Sequence, residues 1–267
     1  MYDFSTQQLK QGLYLNIPMK NIISSTLILS LLTFTALCRS DSLVVAVSSN
    51  FHTPMKLISE EFEKRTNYKI VLSSGSTKKQ FTQIVNGAPF NFFIAADTET
   101  IERLEKLKLT VRNSSFQYAK GQLVVFSPRE DIDVKQLLMA SRDKKIAIAN
   151  PSLSPYGKAS KELLKNLKIW NSQKNNIVSG INIEQAYQFI KTGNVEIGII
   201  AKSQFMRIKN QSDHSYWIPP QNLYSPINQS AVLLTDNEPS MLLQEFFHTN
   251  FVLNLIQEFG YGLPNDK

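Results

Sequence analysis

Leu43-Val44-Val45-Ala46-Val47-Ser48-Ser49-Asn50-Phe51 already contains the architecture in miniature. Its five consecutive apolar residues lack polar alternation, which marks a strand covered on both faces, as in a sheet layered between helices. The run then breaks into Ser48-Ser49-Asn50, residue types that start helices. The segment that follows carries Met55, Ile58 and Phe62 on one helical face and tolerates Pro54 in its first turn. Strand, polar junction and helix form a unit that repeats outward from here.

Residues 69–72 read as the next strand and Ser73-Ser74-Gly75 as a turn. Phe81, Ile84 and Val85 then lie on a helix that stops at Gly87. Strands are expected at 91–95 and 122–126, with a helix around 100–106. A second set follows: a strand at 145–148, helices at 156–167 and 183–191, and a strand at 196–200. The chain returns through the proline-containing stretch 217–226 into a strand at 231–234, and helices between Pro239 and Phe259 close it. Such alternation is the pattern of parallel sheets flanked by helices. Two sets with a return to the first predict an α/β protein of two lobes joined by a hinge. The expected division is 39–118 plus 222–267 for lobe 1 and 119–221 for lobe 2.

The first 38 residues read as an export leader. Met19-Lys20-Asn21 precedes an apolar stretch, 22–37, and Arg39-Ser40-Asp41-Ser42 follows it. A positive start, a short apolar stretch and small residues near its end make a signal peptide. The stretch falls short of the ~20 residues a spanning helix needs. Met19 is the expected working start, and cleavage after Cys38 would remove the one cysteine of the chain. Acylation of Cys38 is the competing reading; bulky Leu37 sits where lipoprotein processing takes a small residue. A periplasmic location is expected.

Composition excludes several classes. With 42% apolar and 19% charged residues in 267, disorder and fibrous repeats are out. A single cysteine allows neither a disulfide framework nor a thiolate metal cluster. The net charge of +7 is spread along the chain, with Lys106-Leu107-Lys108 as its densest run, so nucleic acid is not an expected partner. The three histidines, His52, His214 and His248, show no metal spacing, and the sequence contains no Walker, Gly-x-Ser-x-Gly or Gly-x-Gly-x-x-Gly pattern. Only His52 falls where open α/β sheets bind ligands, and it has no orienting partner in sequence.

What recurs is the polar junction: Ser48-Ser49-Asn50, Ser74-Gly75-Ser76-Thr77, Pro155-Tyr156-Gly157 and Gly180-Ile181-Asn182-Ile183. Each offers the unpaired N–H groups of a helix start. A helix N-terminus carries about half a positive charge, so several converging on one point make an anion site without arginine. Singly, each junction is an ordinary cap. Together, in an exported two-lobe protein without catalytic groups, they favour ligand capture.

An ordered set of motifs then carries a resemblance. Val45-Ala46-Val47-Ser48-Ser49-Asn50-Phe51, Gly75-Ser76-Thr77, the stretch from Asn86-Gly87-Ala88-Pro89-Phe90 to Ile94-Ala95-Ala96-Asp97, Lys120-Gly121-Gln122-Leu123-Val124, Ala149-Asn150-Pro151 and Pro155-Tyr156-Gly157 stand in that order. In this the chain resembles the periplasmic molybdate-binding proteins of molybdate ABC importers over residues 43–262. The resemblance implies a type II periplasmic-binding-protein fold, with mixed sheets flanked by helices and a ligand cleft between the lobes. It implies molybdate or tungstate as ligand, an ABC permease in the inner membrane as partner, a monomer, no cofactor and no enzyme activity. By position it points to Ser49 and Asn50, to Ser76 or Thr77, to Tyr156 through its N–H or its phenol, and to the Ile183 N–H, with no direct metal ligand.

Two positions depart from the family pattern. Ala201 stands where some members have a tyrosine hydroxyl, so that contact is expected to be missing, with Tyr156 as its substitute. Asn91 replaces an acidic residue common in the Gly-Ala-Pro stretch, read here as structural drift. A binder of another anion, such as sulfate, or of a small organic acid is the alternative; an arginine in the cleft would mark the latter. An enzyme on the same fold would need a catalytic constellation, and a sensory domain would need an attached DNA-binding or membrane segment.

Overall fold

The computed structural model describes residues 42–140, 144–210 and 214–264; the expected leader and Cys38 lie outside the described residues. In the first sheet β1 (Ser42–Ser48) lies between β2 (Lys69–Gly75) and β3 (Phe92–Ile94), parallel to both. β4 (Phe116–Gly121) forms the edge of this sheet. A single residue, Gln122, separates it from β5 (Leu123–Ser127), which already belongs to the second sheet. There β6 (Ile146–Ala149) lies between β7 (Ile177–Gly180) and β8 (Ile197–Ala201), parallel to both. β5 runs antiparallel between β8 and β9 (Ser215–Trp217). β10 (Ile227–Leu233) then returns to fill, antiparallel, the slot between β3 and β4. The strand orders β2-β1-β3-β10-β4 and β7-β6-β8-β5-β9 repeat one plan.

Both faces of each sheet are covered, which is why the strands read as unbroken apolar runs. Leu43, Val45 and Val47 pack with Met55, Ile58 and Phe62 of α1 (His52–Thr66). Ala46 faces the other way, toward Ile84 of α2 (Thr77–Val85) and Ile101 and Leu104 of α3 (Glu99–Lys106). In the second sheet Leu123 and Val125 join Val134 and Leu138 of α4 (Val134–Ala140) and Leu163 of α5 (Pro155–Asn166), with Trp170 of α6 (Trp170–Gln173) packed alongside. Val124 and Phe126 meet Tyr187 and Ile190 of α7 (Ile183–Lys191) and Phe205 of α8 (Lys202–Met206). Full burial of such a side chain contributes about 1.5–3 kcal/mol. α9 (Glu238–Phe246) and α10 (Asn250–Glu258) complete the first core. No helix among the described residues is long and apolar enough to cross a membrane.

The structure corrects three local expectations. Ser73-Ser74-Gly75 is not a turn: β2 continues to Gly75 because its ladder with β1 runs on to the Ser48–Gly75 pair. The expected boundary at 118/119 falls inside β4, and the chain leaves the first sheet at Gln122. The returning strand starts at Ile227 rather than 231, because Asn228, Gln229 and Ser230 are held by the ladder to β4 despite their polarity.

Candidate anion site

The registers bring the four junctions into two pairs. Ser48 is laddered to Gly75, so the 3-10 turn Ser49–Phe51 that leads into α1 and the start of α2 lie side by side at the ends of neighbouring parallel strands. Ala149 is laddered to Gly180 in the same way, which sets the starts of α5 and α7 side by side. The pairs then meet. Lys78 N–H, in the first turn of α2, donates to Leu153 O just before α5 at 3.2 Å. Ser49 and Ser74 share the lining of one groove with Ile181, Asn182 and Gln185. A second groove is lined by Ala96, Asp97 and Glu99 on one side and Pro155 and Lys158 on the other. Four helix starts thus converge, each with N–H groups that have no acceptor inside the helix.

Their side chains differ in what they are free to do. Ser76 is the N-cap residue of α2, yet its hydroxyl makes no capping bond. Thr77 is committed inside the protein: its Oγ1 lies 2.8 Å from Ser48 Oγ and accepts from Ala96 N–H at 3.3 Å. Asn182 is an ordinary cap, accepting from Gln185 N–H at 2.9 Å. Ile183 is buried and its side chain belongs to the apolar core, so only its backbone N–H faces the junction chemistry. Gly180 and Gly157 allow the tight approach: a Cβ on either would collide with backbone of Asn182 and Ala186, or of Ala149 and Asn150.

Asn50 and Tyr156 belong to a network that sequence reading did not find. Asn50 Nδ2 donates to Gln229 Oε1 at 2.7 Å and to Tyr261 Oη at 3.1 Å. Tyr118 Oη also donates to Gln229 Oε1, at 3.0 Å, and Gln229 Nε2 donates to Tyr156 Oη at 3.1 Å. Tyr261 Oη donates to Asn50 O at 2.8 Å and lies 2.9 Å from Ser203 Oγ, which reaches the same carbonyl at 3.1 Å. Both amide N–H groups of Asn50 are therefore engaged, and its backbone N–H is the donor left at the junction. Burial raises the pKa of Tyr118, Tyr156 and Tyr261, which keeps all three phenols protonated and neutral. Ala201 is fully buried at the end of β8 and its N–H donates to Gln204 Oε1. The one legible sign of the network was a glutamine within an otherwise buried strand.

The charged residues that line the two grooves are Asp97, Glu99, Glu162 and Glu184 and one cation, Lys158. Among the described residues no arginine lines either groove. Lys158 and Glu99 form an exposed pair at 3.8 Å. Asp97 Oδ1 caps Thr100 N–H at 2.8 Å, and burial raises its pKa against that bond. His52 and His248 are exposed, and His214 packs among the rings of Phe126, Phe205 and Tyr216. No group of three or more potential metal ligands occurs among the described residues. Asn91 is a clamp rather than drift: its Oδ1 accepts from Val44 N–H at 2.8 Å and its Nδ2 donates to Thr235 Oγ1 at 3.1 Å.

Residues 43–261 match the model of the bacterial extracellular solute-binding proteins. The chain belongs to that family. Among its curated relatives, the molybdate-binding protein ModA of Azotobacter vinelandii is 41% identical over 224 residues, covering 82% of this chain and 89% of the relative. ModA of Rhodobacter capsulatus is 33% identical over 222 residues, covering 82% and 87%. The solved Azotobacter vinelandii periplasmic molybdate-binding protein superposes on this solute-binding protein with a TM-score of 0.78 at 31% identity, over 83% of this chain and 99% of that one. The sulfate-binding protein SubI of Mycobacterium tuberculosis reaches 0.70 at 13% identity, covering 84% and 87%, and so shares the fold. The two-lobe plan of mixed sheets flanked by helices is that of these binding proteins.

Proposed function

We propose that the chain is the molybdate-capturing component of an ABC importer. It binds the oxyanion between its two lobes and hands it to a membrane permease. The observation that carries this reading is the convergence of four helix starts with neutral donors and no arginine. The donors are the Ser49 and Ser76 hydroxyls and the backbone N–H groups of Asn50, Tyr156 and Ile183; Thr77 holds the loop. The names of the two relatives as molybdate-binding proteins support the same reading.

Neutral donors discriminate by protonation state. Hydroxyl and N–H groups pair well with an anion that has only lone pairs to offer, whereas hydrogen phosphate brings a proton that finds no acceptor. Sulfate passes that test and is rejected by size, because a ring of donors spaced for the larger molybdate or tungstate does not close on it. The protein works as a binding protein rather than an enzyme, as a monomer, and without nucleic acid or cofactor. Its leader directs it to the periplasm with a mature start near Arg39, which the intact mass of protein from the native host checks: retained residues 19–38 or an acylated Cys38 would contradict it.

The deciding experiment is calorimetric titration of the mature protein with molybdate, tungstate, sulfate and phosphate. Tight one-to-one binding of the first two, with the others at least a thousand-fold weaker, is expected. Sulfate binding as tightly as molybdate would replace this reading with that of a general dianion carrier.

A further inference from the structure

We infer that Gln229 is the positioning residue of the site, fixing the Asn50 amide and coupling it to Tyr156 in the other lobe. The inference rests on the molybdate reading above. It assigns a role to a side chain that lies within the network and holds the donors in place.

Three separate features single out this glutamine. First, its amide is held at both ends. Oε1 receives both Asn50 Nδ2 and Tyr118 Oη, and Nε2 donates to Tyr156 Oη. With Asn50 Nδ2 on the oxygen, and the Tyr118 hydroxyl shared between that oxygen and Ala95 O, the amide N–H is aimed at Tyr156. Second, the β10–β4 register skips Tyr118 between Gln229 and Ser230, so β4 carries an extra residue there, and it is the one whose hydroxyl meets Gln229 Oε1. Third, β4 ends in Gly121 where the Gln229–Tyr156 bond passes. A Cβ there would fall 2.8 Å from Gln229 Nε2 and collide with the Tyr156 hydroxyl.

A fully buried glutamine in an apolar strand is often no more than a satisfied core polar group. Here its partners include, besides Tyr118 of β4, two residues at helix starts, Asn50 from the first lobe and Tyr156 from the second. The Gln229–Tyr156 bond therefore forms only when the lobes are together. Asn50 carries the same coupling further, because Ser203 of α8 reaches its carbonyl beside Tyr261. In a buried network each member fixes the next, and removing the central one frees all of them.

The test uses Gln229→Met, which keeps length and loses both hydrogen-bonding functions, and Gln229→Glu, which puts a titratable group in the same place. Molybdate affinity is measured by calorimetry between pH 6.5 and 8.5, with the wild-type protein as reference at each pH. That reference absorbs the other titratable groups nearby: Tyr118, Tyr156, Tyr224 and Tyr261, and Asp97, which acts on Tyr118. Gln229→Met should bind at least about ten-fold more weakly. Gln229→Glu should be weakest at high pH, where a buried carboxylate opposes the dianion. It should recover toward wild type as pH falls, because the protonated carboxyl restores a donor toward Tyr156. That recovery should be lost in a Tyr156→Phe background, where the donor has no partner, whereas relief of charge repulsion or of a destabilised fold would survive that change. If Gln229→Met does not fold, the pH profile of Gln229→Glu still decides. Wild-type affinity in both variants, or a Gln229→Glu deficit constant with pH, would overturn the inference while leaving the molybdate reading intact. A wild-type protein that ignores molybdate would remove the reading and the inference together.

Discussion

Ser76 and Thr77 are adjacent hydroxyls to which the proposed site gives opposite duties, and alanine at each separates binding from stability. An N-cap serine replaced by alanine ordinarily costs about 1 kcal/mol through its lost capping bond. Ser76 makes no such bond, so Ser76→Ala should cost the fold under about 0.5 kcal/mol, or roughly 1–2 °C in Tm for a protein of this size. In the proposed site its hydroxyl donates to the anion instead. Losing one donor to a charged acceptor costs about 1.5–3 kcal/mol, which is about ten- to a hundred-fold in affinity. Thr77→Ala leaves the buried Ser48 hydroxyl and the Ala96 N–H without their partner. That costs about 1–3 kcal/mol of stability, roughly 3–10 °C in Tm, with a smaller change in affinity. Calorimetric titration with molybdate and thermal melts of the ligand-free variants measure both. Wild-type affinity in Ser76→Ala, together with a binding loss in a Thr77→Ala protein of unchanged Tm, would refute the assignment.

Other outcomes follow from contacts already described. Gly121→Ala should weaken molybdate binding by wedging against Tyr156 and Gln229. In a Tyr156→Phe background the same change should cost less than it does alone, and strict additivity of the two affinity losses would show that the residues do not meet. Asn91→Asp should melt close to wild type, since it still accepts from Val44 N–H and Thr235 can turn to donate; Asn91→Ala should lose about 1–2 kcal/mol in chemical denaturation. Asp97 has a native pKa raised by burial, so its contribution to stability is fully present below the unfolded carboxylate pKa and is lost as pH rises through the native one. Asp97→Asn, which keeps the acceptor for Thr100, should therefore raise Tm at pH 7, and the gain should vanish near pH 3. A gain that grew on acidification would reverse the sign of the argument.

The apolar strands were legible because burial on both faces erases polar alternation. Val45, Val124 and Ile199 could hardly be anything but strand interior. The helix starts were legible too, since Ser76, Pro155 and Asn182 are residue types that begin helices. Their common purpose was harder to read. Which of Ser76 and Thr77 is free depends on Ser48, 29 residues away, whose hydroxyl pairs with Thr77. Asn50 looked like a side-chain donor because its partners, Gln229 and Tyr261, lie 179 and 211 residues further on. Nothing local marks a pairing over such distances. The polar start of β10 misled for a related reason: Asn228, Gln229 and Ser230 are held by the ladder to β4 rather than by hydrophobicity.

The return of β10 into the slot between β3 and β4 also sets the order in which the polypeptide can fold. When β4 has emerged, the first sheet has three parallel strands and a hole where its antiparallel neighbour belongs. Until residues 227–233 arrive, β3 has an open edge and β4 has nothing to pair with. The second sheet has no such wait, because all its strands lie between Leu123 and Trp217. Late, long-range pairing is slow, and an unpaired edge invites association with other chains. The second lobe is therefore expected to gain amide protection first in pulse-labelled hydrogen exchange, with β1 and β3 following only after β10 docks. Simultaneous protection of both sheets would contradict this order.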